Sequence, residues 1–143
     1  MNPDEMKNRF MQFALRATRL AESLPRTRTG NVAASRLIRS ATGAAANYRA
    51  ACLGRSKAEF LAKLGIVQEE TDESIFWMEF IMEAGLAKQA LVLPLQSEGE
   101  ELFAIVASSI KTARSREGRS SGTCGTSSTS TAAAAGATAS WPC

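Results

Sequence analysis

Apolar positions recur every three or four residues across nearly all of the first 117, and strict alternation never lasts beyond a few residues. That spacing is the helical period, so the chain is expected to be all-α. A first helix over about 3–24 opens with Asn2 as cap, Pro3 at its first position and Glu5 three residues after the cap. Its stripe is Met6, Phe10, Phe13, Ala14, Ala17, Leu20, Ala21 and Leu24, and Pro25 ends it. A basic turn from Pro25 to Gly30 leads to a second helix over about 31–53, with Ala34, Leu37, Ile38, Ala41, Ala45, Tyr48 and Cys52 as its core stripe and Gly54 as its stop. The third helix, about 57–85, begins at a capping box, Ser56 to Glu59, and carries Phe60, Leu64, Val67, Thr71, Ile75, Met78 and Met82. Pro94 predicts a non-helical connector from Leu86 to Gln96. A second capping box, Ser97 to Glu100, then starts a fourth helix over about 98–115 with Leu102, Phe103, Val106, Ser109, Ile110 and Ala113 inside. Four helices with short connections give an up-down-up-down four-helix bundle over residues 1–117.

The pattern stops there. In the last 26 residues, 118–143, Gly, Ser, Thr and Ala fill 21 positions, leaving too little apolar surface to offset chain entropy, so disorder is expected.

The two middle helices carry more than one patterned face. On helix 2, Arg36, Ser40, Gly43, Asn47, Ala50 and Gly54 form a row of small and polar residues that lets another backbone come close. On helix 3, Glu59, Lys63, Ile66, Glu70, Glu73 and Trp77 form a row in which a tryptophan and an isoleucine sit among charges. A bundle buries one stripe per helix, so the extra faces point to oligomerisation, against the plain alternative of solvated surfaces.

Charge sharpens this reading. The net charge of +3 is too small to imply a nucleic-acid partner, but its distribution is uneven. Ser23 to Ala58 contains seven cations and no acid; Glu69 to Glu83 contains six acids and no base. Pairing of these blocks is the first expectation, with Glu70 and Glu73 held by Arg36 or Arg39. Arg26, Arg28, Arg55 and Lys57 lie at helix ends and turns, where side chains can reach a polyanion, although no aromatic stands among them to stack a base.

The candidate chemistry is thin. With no histidine, Ser-His-Asp, Cys-His and Glu-x-x-His di-metal sites are excluded. Cys52, Cys124 and Cys143 have neither metal-ligand spacing nor an even count for disulfides, which suits a reducing compartment. Glu70 and Glu73 share a face, but helices 1, 2 and 4 offer no matching interior acids, so a small-molecule or metal site on them is a remote alternative. There is no GxGxxG, P-loop or nucleophile elbow. No cofactor is expected, and the chain reads as a non-enzyme. No apolar run nears the 20 or so residues that span a bilayer, and the N-terminus lacks a signal-peptide core, so a cytoplasmic protein without a membrane partner is expected.

Three runs carry a resemblance: Leu37 to Ala51 (LIRSATGAAANYRAA), Gly54 to Leu64 (GRSKAEFLAKL) and Glu70 to Trp77 (ETDESIFW). Over about residues 6–114 the chain resembles the four-helix-bundle family named for proteins encoded in intervening sequences of bacterial 23S ribosomal RNA genes. The matching positions are Arg39, Asn47, Ser56, Glu59, Phe60, Glu70, Glu73 and Trp77. The chain departs from the family's Asn-x-x-Glu arrangement at Ala50, so a polar network built on that glutamate is not carried over. The resemblance implies a small bacterial cytosolic protein that assembles into a ring, typically a homopentamer. It also implies kinship with the accessory variability determinant of diversity-generating retroelements, a basic pentameric barrel that engages nucleic acid.

Together these readings give a non-enzymatic oligomeric scaffold, with RNA or a ribonucleoprotein as candidate partner of Arg26, Arg28, Arg55 and Lys57. The expected self-contact or structural network comprises Arg36, Arg39, Gly43, Asn47, Glu70, Glu73 and Trp77. The alternative is a purely structural or protein-interaction ring without a nucleic-acid role.

Overall fold

Each of the first three helices begins where a short polar side chain satisfies one of its first free N–H groups. The computed structural model describes residues 2–120, with side chains described as far as Glu117. Four helices and no strand occur among the described residues: α1 (Pro3–Glu22), α2 (Arg28–Cys52), α3 (Lys57–Glu83) and α4 (Gln89–Ser120). Asn2 and Glu5 form a reciprocal capping box on α1, at 2.8 and 3.2 Å. Thr27 caps α2 by accepting from the Gly30 N–H at 3.0 Å, so α2 starts three residues earlier than its apolar stripe suggests. Ser56 accepts from the Glu59 N–H at 3.1 Å, and the Glu59 carboxylate takes the Arg55 N–H at 2.9 Å. At the far end of α3, Gly85 takes a left-handed φ of 69°. Its N–H reaches the Met82 carbonyl and the Leu86 N–H reaches Ile81, the paired contacts of a Schellman stop.

The expectation for α4 is corrected. The helix does not wait for Ser97; it starts at Gln89 and runs through Pro94. Pro94 is the sixth residue of the helix, so the N–H it lacks would have bonded the carbonyl of Ala90, which lies in an exposed turn open to water. Val92 (0% exposed) and Leu95 (3%) bury against the core and hold that turn helical. The helix also continues three residues into the tail expected over 118–143, whose remaining residues lie outside those described.

Successive helices pack side by side, α4 closes on α1, and the backbones of the diagonal pairs stay apart. Ser40 meets Ser74, Gly43 meets Glu70 and Lys57 meets Glu117, so neighbours run antiparallel. Phe10, Phe13, Leu37, Leu64, Val67, Met78, Ile81 and Leu102 are fully buried between them. Phe10 stacks on Tyr48 with ring centres 5.0 Å apart. Two stripes are rotated from expectation. On α2 the buried set includes Ala33, Ser40, Ala44 and Ala51, while Ala34, Ile38, Ala45 and Cys52 are only half-buried. On α3, Ser74 and Ile81 replace Ile75 and Met82. Both rotations turn α2 and α3 towards each other, a contact made close by small and hydroxyl side chains.

On the opposite seam, Arg9 of α1 grips α4. Its guanidinium donates twice to Glu98 (both 2.9 Å) and once to Glu101 (2.8 Å). A forked, charge-assisted arrangement of this kind fixes orientation as well as distance.

Candidate functional site

The row of small residues on α2 exists to admit α3. The Ser40 hydroxyl accepts from Ser74 at 2.9 Å and donates to the Leu37 carbonyl, so the buried polar pair is satisfied. One turn along, a Cβ at Gly43 would lie 3.0 to 3.2 Å from the carboxyl atoms of Glu70, which rest in the space the glycine leaves. Asn47 turns back on its own helix, donating to the Gly43 carbonyl at 2.9 Å. Gly43 and Glu70 are therefore matched within one subunit.

The ion pairs expected there do not form within the chain. Among the described residues no arginine of α2 lies within 4.0 Å of a carboxylate of α3. Burial pushes the Glu70 carboxyl above its ordinary range, the charge of Glu73 adds to the rise, and Arg39 opposes it from beyond contact. Glu73 instead accepts from the Trp77 indole N–H at 3.3 Å. Trp77 packs edge-on against Phe76 (5.1 Å) and Phe80 (5.4 Å), on the outer side of α3. Phe76 is 53% exposed, and Ile66, one of the expected row, is also exposed. Arg36 and Arg39 are exposed on the neighbouring flank of α2. The result is an outer α2/α3 surface with exposed arginines on α2 and, on α3, acids and an aromatic patch together, without an ion pair between the two helices.

The four cations read as one basic feature are split in two. Arg26 lies in the turn before α2 and Arg28 is its first residue, while Arg55 lies in the turn after it and Lys57 opens α3. Twenty-five helical residues separate these turns, roughly 37 Å at 1.5 Å per residue. Lys57 is paired with Glu117 at 3.6 Å, which brings the last turns of α4 beside the start of α3. Exposed Lys111, Arg114 and Arg116 on those turns join the end that carries Arg55. The linear sequence gave no sign of this gathering, since some 55 residues lie between the two groups.

Among the described residues, no group of three or more His, Cys, Asp or Glu side chains lies together as a metal ion would need. Among the same residues no helix is long and apolar enough to cross a membrane.

The fold and face define a four-helix protein with a candidate contact surface. No protein-family model matches the sequence, and no curated protein does. Among solved structures, the chain is similar to a protein of unknown function from the S23 ribosomal protein family of Bacteroides thetaiotaomicron. That protein is 26% identical, with a TM-score of 0.72 over 78% of this chain and 99% of the other.

Proposed function

We propose that this chain is a non-enzymatic helical scaffold that assembles with copies of itself, as a homopentameric ring, through the outer α2/α3 surface. The observation that carries this is the uncompensated charge on that surface. Arg36 and Arg39 stand on α2, and Glu69, Asp72 and Glu73 share a face of α3 with the exposed Phe76, none of these charges ion-paired within the chain. A second copy offers the complementary sign at each position and covers the aromatic patch. Light scattering on the full chain at micromolar concentration tests it, with five times the subunit mass expected. Phe76→Glu changes an exposed side chain, so it should keep the helical signal and lower the mass. A wild-type monomer would overturn the reading.

A second reading adds RNA, favoured by the gathering of Arg55, Lys57, Lys111, Arg114 and Arg116 at one end of the subunit. A ring would repeat that end around one rim. Affinity for structured RNA should then fall steeply with salt, each phosphate contact adding about 0.9 to the log–log slope on a duplex. No binding at low salt leaves the purely structural scaffold.

A further inference from the structure

Near the end of the bundle where α1 begins, the four helices do not fill the space between them. A cavity of about 200 Å³ lies there, walled by Met6 of α1, Tyr48 of α2, Phe60 and Leu64 of α3, and Val106 and Ser109 of α4. Five of these six side chains are at most 5% exposed, so the space is largely enclosed and opens to solvent on one side. Ser109 and Ile105, both half-exposed, form its mouth.

The sequence explains the gap. Of the α4 residues that face this space, Ile105, Val106 and Ser109, the last is small, where a packed bundle would place Leu or Met. Ser109 adds no free polar group, because its hydroxyl donates to the Ile105 carbonyl at 3.0 Å. No charged residue lines the walls. An apolar enclosure without several polar partners is a poor home for water, and a cavity of roughly 150 Å³ with such walls takes up benzene.

We propose that this cavity is a binding site for a small neutral aromatic molecule of one or two fused rings. Phe60 and Tyr48 supply ring faces and edges, Met6 a flexible and polarisable wall, and Leu64 and Val106 aliphatic floor. The volume exceeds what benzene needs and suits a substituted benzene or an indole. Carboxylated analogues are rejected, since nothing in the walls compensates a charge. The site lies inside one subunit and stands whether or not the chain assembles.

Indole and benzene are the probes, with benzoate as the charged control, on the full chain. The expected result is a saturable change in the methyl NMR signals of Met6, Leu64, Val106 and Ile105, together with a rise in melting temperature, for the neutral probes alone. Ser109→Leu should fill the space, raise the melting temperature without a probe and abolish the response. If that variant is overpacked and misfolds, Ile105→Ala, which opens the mouth, should still bind. Absence of a saturable methyl response in the wild type would mean that Met6 and Ile105 close the space in solution, and would overturn the proposal. So would a response equal for benzoate, or one unchanged in a folded Ser109→Leu protein.

Discussion

Gly30 and Gly65 are both helical, and the same substitution should move them in opposite directions. A Cβ at Gly30 would collide with the carbonyl oxygen of Pro25, where the chain doubles back before α2. Gly30→Ala should destabilise the protein by about 1–3 kcal/mol, because backbone must shift to relieve the overlap. At Gly65 a Cβ meets nothing within 4 Å. Gly65→Ala should stabilise by about 1 kcal/mol through helix propensity alone. Urea titration of both variants checks the signs. Glu70 makes a different demand. Burial and Glu73 raise its carboxyl above the ordinary range, so the folded chain holds that proton more tightly than the unfolded one. Stability from this group is complete below the ordinary glutamate value and is lost as pH rises through the elevated one. Glu70→Gln should therefore melt above the wild type at pH 7, with the difference closing by about pH 4. Calorimetry at the two pH values would show it; a variant that melts lower at pH 7 would mean that a cation meets Glu70 after all. A linear reading placed Glu70 in a charged row, yet it could not see that its carboxyl rests in the space Gly43 leaves.

At the scale of elements, the helical period and the caps at Asn2 and Ser56 made α1 and α3 legible to within two residues at each end. The start of α4 was not. A proline and a capping-box sequence both argued for a later beginning, and both are local signals. The burial of Val92 and Leu95 outweighs them, since tertiary contact holds a turn that propensity alone would leave open. The proline still lacks a donor and crowds the preceding turn. Pro94→Ala should accordingly stabilise α4, by up to about 3 kcal/mol, and raise the melting temperature without altering the helical signal. The rotation of the α2 stripe was hidden for a related reason. On a helix so rich in alanine, Ala33, Ala34, Ala44 and Ala45 are chemically alike, and only the partner decides which of them is inside.

For the molecule as a whole, length and period led directly to four helices, because each amphipathic stripe needs a neighbour and the turns are too short for anything but antiparallel ones. The candidate site was less visible. Arg26, Arg28, Arg55 and Lys57 stand within 32 residues of one another in sequence, and a straight 25-residue rod sends them to opposite ends. The subunit thus has two chemically distinct poles. The pole with Arg55 gathers further cations from the last turns of α4, while the other carries Arg26 and Arg28 near Glu22 and Glu83. The cation–carboxylate seam that proved strongest in the subunit, Arg9 with Glu98 and Glu101, left no trace in the sequence. Glu98 fell inside the expected capping box and Glu101 just beyond it, on a helix that in fact begins nine residues earlier.

That seam also sets the order of events in time. Ser40 and Ser74 are 34 residues apart, whereas Arg9 and Glu98 are 89 apart. Closing the longer loop costs more entropy before any contact rewards it. The α2/α3 hairpin should therefore organise the rate-limiting state, with α1 and α4 zipping together after the barrier is crossed. Arg9→Ala should then speed unfolding and leave the refolding rate almost unchanged in stopped-flow experiments. A refolding rate slowed in proportion to the lost stability would place the clamp in the nucleus instead. The residue that locks the bundle is on this account its latch: last to close, first to open, and the determinant of how long a folded subunit lasts.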